Sequence, residues 1–108
     1  MKEIMSESKL AKVSQIIEEV MFLANKASKK FSMGLVETRK ANEFGAIESL
    51  VFSEKVIQDF DEQEVVDFLN DVESKGSQIY SVDSSTDVGL RVSGLGGIIS
   101  LLRFPVDG

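Results

Sequence analysis

The segment at residues 47–53 constrains the fold most, because Leu50, Val51 and Phe52 follow one another without a polar break. Successive side chains of a strand point to opposite faces, so a strand that is apolar on both faces must be covered on both. Helices on the two faces of a sheet are the usual cover, and helical periodicity is present on either side in the sequence. Leu10, Val13, Ile17, Val20, Ala24 and Ala27 recur at steps of three and four, predicting one helix over residues 7–30 with Ser6 as its N-cap. Ile16 and Leu23 widen that stripe, so this helix is expected to pack on more than one neighbour. Lys26, Lys29 and Lys30 fall in its predicted last turns, where the helix dipole favours cations.

The rest of the chain alternates in the same way. Residues 31–35 read as a brief strand or extended turn, residues 36–44 as a helix closed by Gly45, and residues 53–57 as a loop or short helical turn. Residues 61–74 give the clearest helix. Asp61 and Glu64 stand at capping-box spacing, Val65, Phe68, Leu69 and Val72 form the inward stripe, and Gly76 ends it. A strand over 78–82, a polar loop, a short helix over 87–93 and a last strand over 98–104, ended by Pro105, complete the pattern. The fold class that follows is α/β, a three-layer α/β/α sandwich around a central mixed sheet, with residues 1–108 as a single domain.

Composition narrows function. The chain has neither histidine nor cysteine, which removes the commonest general base, thiolate chemistry, disulfides and Cys-ligated zinc. The longest apolar runs are five residues, as at 20–24, far short of the roughly 20 needed to span a membrane. Residues 61–108 carry the entire net charge of −6, while residues 1–60 are balanced. Only the first half could offer phosphates a basic patch, chiefly through Lys26, Lys29, Lys30, Arg39 and Lys40.

The motifs that invite chemistry read as structure. Gly94, Gly96 and Gly97 precede a strand, whereas a phosphate loop follows a strand and opens a helix. A tight turn with close backbone packing is therefore expected there. The carboxylate pairs Glu18/Glu19, Asp61/Glu62 and Asp71/Glu73 fall on predicted outer helix faces, and Asp83 and Asp87 lack an ordered cation-ligand pattern between them. We therefore expect no catalytic residue, no metal site, no cofactor and no enzyme activity.

The block from Met33 to Val51, with Gly34, Glu37, Lys40, Ala41 and Gly45-Ala46-Ile47-Glu48, and the ending Gly94 to Pro105, with Gly97-Ile98 and Leu102-Arg103-Phe104, together resemble the C-terminal domain of the Pelota family. Pelota proteins are ribosome-rescue relatives of class-I peptide-chain release factors. Ile99 and Ser100 stand where the family pattern has two alanines. The resemblance covers residues 8–106. It implies a fold similar to that of ribosomal proteins that bind kink-turn RNA, and a fragment of a longer, multidomain chain. The third domain of a release factor is a second possibility, although that domain usually carries an inserted minidomain for which this chain is too compact.

By resemblance the domain serves no-go mRNA surveillance and dissociation of stalled ribosomes in the cytoplasm. Its implied partners are a translational GTPase of the elongation-factor type, an ABC-type recycling ATPase and, through the full-length protein, the ribosome. The segment carried over as partner-binding is Phe31, Met33, Leu35, Val36 and Glu37, with plain core packing as the alternative for Phe31 and Met33. Kink-turn proteins open the equivalent helix with Gly-Thr-Asn-Glu. Here Leu35 and Val36 replace Thr and Asn, and losing a base-specific contact typically costs about 1–3 kcal/mol. Protein docking is thus expected in place of sequence-specific nucleic-acid binding, with a kink-turn-type RNA-binding module as the alternative function.

Overall fold

The structure, a computed structural model, describes residues 7–26 and 30–104. Nine elements follow in the order α1 (Glu7–Asn25), β1 (Phe31–Met33), α2 (Leu35–Glu43), β2 (Ile47–Ser53), α3 (Lys55–Asp59), α4 (Glu62–Ser74), β3 (Gln78–Val82), α5 (Asp87–Gly94) and β4 (Ile98–Leu102). The strands form one mixed sheet in the order β1-β4-β2-β3, with β4 antiparallel to both its neighbours and β2 parallel to β3. β2 and β4 are thus the inner strands, and β2 is the segment, apolar on both faces, that the sequence singles out.

Strand alternation divides the core in two. Leu50 and Phe52 of β2 with Ile98 and Leu102 of β4 pack under α2, α3 and α4, against Ala41, Val56, Val65, Phe68 and Val72. Val51 and Ile99 face the other way, toward Val13, Ile16, Ile17 and Val20 of α1 and Val88 and Val92 of α5. The three-layer α/β/α sandwich is therefore realised, with α1 lying on the sheet and on α5 as its widened stripe implies. Among the described residues, no helix is long and apolar enough to cross a membrane.

Several boundaries move. The first helix stops at Asn25 rather than residue 30, and Lys26 closes it by donating its amide to the Phe22 and Leu23 carbonyls. Leu10 is 42% exposed, Leu23 half-buried and Ala24 exposed, so the buried stripe is limited to Val13, Ile16, Ile17 and Val20. Helices in proteins owe most of their stability to a packed face, and past Leu23 this one has none. Ser6, Ala27, Lys29 and Pro105 lie outside the described residues. The last strand ends at Leu102 rather than Phe104, where the apolar cover ends: Arg103 and Phe104 are exposed, although the Arg103 amide still donates to the Ala46 carbonyl, 2.6 Å away. The Asp61 cap is formed, its carboxylate accepting from the Gln63 and Glu64 amides. Gly45 and Gly76 end α2 and α4 at φ 64° and 86°.

Ile17 has no exposed surface and sits in the centre of the α1 layer. Ile17→Ala is expected to lower the unfolding free energy by about 2–5 kcal/mol, as large-to-small core changes do. Urea denaturation checks this, and a loss below 1 kcal/mol (about the value of a single methylene) contradicts the packing described.

A candidate protein-docking surface at the β1–α2 turn

The turn between β1 and α2 is built by a glycine and three hydroxyls. Gly34 takes φ 88°, ψ 156° as the N-cap of α2, a conformation that side chains rarely adopt. Its amide donates to the Ile98 carbonyl at 2.8 Å, tying the turn to the start of β4. Its carbonyl accepts from the Thr38 amide at 3.1 Å and from Thr38 Oγ1 at 2.8 Å. Gly96 presses on the same point: a Cβ there would lie 3.1 Å from the Cα and N of Gly34. The glycine run before β4 is thus the tight, closely packed turn the sequence implies, and its function is to let two backbones meet.

Beneath the turn runs a chain of buried hydroxyls. Ser32 of β1 lies opposite Ser100 of β4, their Oγ atoms are hydrogen-bonded, and Ser32 Oγ is 2.9 Å from Thr38 Oγ1. All three side chains are buried. Since the Thr38 hydroxyl gives its proton to the Gly34 carbonyl, Ser32 must donate to Thr38, and Ser100 to Ser32. The order is fixed end to end and fastens the first turn of α2 to the inner sheet.

The five segment residues divide between three environments. Phe31 and Met33 alternate onto the α1 face, half-buried against the apolar cluster there. Leu35 is half-buried against the opposite cluster. Val36 and Glu37, on the first turn of α2, are exposed, Val36 at 79%. The turn brings the five together along the chain without merging them into one apolar patch. Val36 is the open apolar side chain, and Phe31 and Met33 offer only their outer edges.

Sequence reasoning missed a second constellation, between α2 and α4. Asn42 Nδ2 donates to Asp71 Oδ2 at 2.6 Å, Lys75 Nζ lies 3.3 Å from the same oxygen, and Lys75 Nζ also donates to the Asn42 carbonyl at 2.7 Å. The signal was present: Asn42 follows Ala41 and stands four residues after Thr38, a polar residue on the buried stripe of α2. The hydrogen bond from Asn42, and then that from Lys75, hold the Asp71 carboxyl below its ordinary value of 3.8. Among the described residues, no group of three or more carboxylates could hold a metal ion.

The model of the family described as eRF1 domain 3 matches residues 10–106. The chain belongs to the eRF1 domain 3 family. As an eRF1 domain 3 it is similar, at 69% identity over 99% of its length and 30% of the relative's, to a Pelota homolog of Nitrosopumilus maritimus. The Archaeoglobus fulgidus Pelota structure matches at TM-score 0.85 and 31% identity, over 94% of this chain and 32% of that one. The Saccharomyces cerevisiae protein Dom34, described as a translation termination-like factor that interacts with Hbs1, matches at TM-score 0.81 and 27% identity, over 91% and 28%. This eRF1 domain 3 chain spans about 30% of the length of the curated relatives it matches.

Two outcomes test the geometry. Thr38→Val keeps the shape but strips the Gly34 carbonyl and Ser32 of a partner, and is expected to cost about 1–3 kcal/mol of stability in urea denaturation. Thr38→Ser is expected to restore most of it. For Asp71, the folded-state pKa lies below the unfolded one, so its contribution is present above pH 3.8 and is lost as pH falls through the lower folded value. The difference in melting temperature between the parent chain and Asp71→Asn is therefore expected to shrink on acidification through that range, as followed by thermal melts.

Proposed function

We propose that this domain is the protein-docking module of a ribosome-rescue factor and that it binds a translational GTPase of the elongation-factor type through the β1–α2 turn. The observation that carries the reading is Val36, a large apolar side chain held 79% open on a turn that two glycines and a hydroxyl chain make rigid. An exposed aliphatic group on a fixed backbone is preorganised for an interface, since little conformational freedom is lost when it is covered. Glu37 beside it supplies a charge that steers approach and sets register more than it adds affinity. Phe31, Met33 and Leu35 support the turn from below and reach a partner by their edges. The membership in the eRF1 domain 3 family and the description of Dom34 as interacting with Hbs1 support this reading.

On the same reading the domain also meets an ABC-type recycling ATPase, and it reaches the ribosome as part of a longer chain that acts in the cytoplasm in no-go surveillance. It works by binding rather than by catalysis. No kink-turn RNA function is proposed. Val36 occupies the place where a base-reading residue is needed, and valine offers a base edge no hydrogen bond.

Val36→Asp is the cleanest test, because Val36 is mostly exposed, whereas a charge at half-buried Met33 would also disturb the α1 layer. In calorimetry with the elongation-factor-type GTPase of the same organism, Val36→Asp is expected to weaken binding at least tenfold, about 1.4 kcal/mol. The melting temperature is expected to stay unchanged. Undiminished affinity in a folded variant refutes the assignment of the turn.

A further inference from the structure

We infer that the groove at the end of the sheet where β2 begins and β4 ends binds the carboxylate of a ligand with an aliphatic chain. This end lies opposite the Gly34–Ile98 bond, so the site is separate from the β1–α2 turn and does not depend on what binds there. Two hollows, of about 330 and 420 Å³, share Lys12, Glu48 and Ser49 in their lining. Gln78 and Arg103 belong to the first hollow, Leu23 and Leu101 to the second.

The residue that points to a ligand is Ser49. Seven polar side chains are buried among the described residues. Six of them, Ser32, Thr38, Asn42, Ser53, Ser77 and Ser100, make a side-chain hydrogen bond. Ser49, 4% exposed, makes none. Buried polar groups are normally paired, so the exception needs a partner from outside. Among the described residues, Asn42 Oδ1 is the one side-chain atom with neither surface nor partner, so the unpaired Ser49 Oγ keeps an opening, and that opening leads into the hollows it lines. The strand is shaped to this end. Ile47 pairs with Leu102 and Ser49 with Leu101, which leaves Glu48 as the extra residue of a bulge, a device that re-aims side chains. Ile47 and Leu50 therefore share the α2 side of the sheet although three residues apart, while the consecutive Glu48 and Ser49 both reach the groove beside α1.

The surrounding groups set the charge of the ligand. Lys12 and Arg103 against Glu48 leave one positive charge in the first hollow, in a chain whose net charge is −6. All three are exposed, and none of them is ion-paired among the described residues. Arg103 Nη2 donates to the Gly76 carbonyl at 3.3 Å, and the rest of its donor fork is left over. Gln78 Oε1 already accepts from the Tyr80 hydroxyl, so the Gln78 amide nitrogen is what it has to offer. Ser49, Lys12, Arg103 and Gln78 thus present donors to one point, and a carboxylate supplies acceptors with the single charge that balances the excess. A phosphate monoester, at about −1.5 to −2, would overfill the site beside Glu48. Leu23 and Leu101, both half-buried, give the second hollow apolar surface along which an aliphatic chain can lie.

The test is an NMR titration of this chain with isocaproate at constant ionic strength, with isocaproamide as the uncharged control of the same shape. Saturable shifts of the Ser49 amide, the Arg103 side-chain N–H groups and the Leu23 and Leu101 methyls are expected with the acid and not with the amide. In Lys12→Gln/Arg103→Gln binding is expected to weaken at least about tenfold. In Ser49→Ala it is expected to weaken at least about threefold with the melting temperature undiminished, because the hydroxyl has no bond within the protein to lose. N-acetyl-leucine separates two sources of the same chemistry: tighter binding than isocaproate assigns the site to the C-terminus of a partner polypeptide, weaker binding to a free acid. The inference is overturned if Ser49 does not shift, if the amide control binds equally well, or if Ser49→Ala binds as tightly as the parent chain. Tighter binding of inorganic phosphate at the same residues also overturns it, since the ligand would then not be a carboxylate.

Discussion

Burial of β2 and β4 on both faces governs this molecule. With Leu50, Val51 and Phe52 on one inner strand and Ile98 and Ile99 on the other, neither face of the sheet can be left to water. Fully burying one such side chain is worth about 1.5–3 kcal/mol, so leaving a whole layer open would cost more than a domain of this size has in reserve. α1 and α5 on one face and α2, α3 and α4 on the other are the answer. At one end of the sheet backbone bonds close the frame, the Gly34 amide donating to the Ile98 carbonyl and the Ser53 amide to the Gly97 carbonyl.

Polar groups within that apolar frame set its precision. Ser32, Thr38 and Ser100 sit where aliphatic residues would pack as well, and their hydrogen bonds have geometric requirements that hydrophobic contact does not. Side chains packed by shape alone can shift to a neighbouring arrangement at little cost. A directed row of hydroxyls ending on the Gly34 carbonyl cannot, and it holds the first turn of the helix that carries the exposed Val36.

The order and type of the elements were legible in the sequence because periodicity and glycine punctuation agree at each step, as in the Asp61 cap, the Val65–Phe68–Val72 stripe and the Gly76 stop. The strand over 47–53 was found to the residue. Where the reading overshot, at Lys26, Lys30 and residues 103–104, local pattern continued beyond the packing that sustains it. The site was less legible. A pattern of apolar residues says that Phe31, Met33 and Leu35 are near a core, but which edge of each is covered depends on α1 and the opposite cluster, brought in from far along the chain. Asn42 and Ser100 were visible as polar residues in apolar surroundings, yet their partners, Asp71 and Ser32, lie 29 and 68 residues away.

The contact of Gly34 with Gly96 joins two turns that are remote in sequence through their backbones, with no side chain between them to act as a cushion. Such a joint transmits displacement directly: the segment before α2 cannot shift without carrying the segment before β4. A label placed on either turn would therefore report on both, and lengthening one turn would require a matching change in the other.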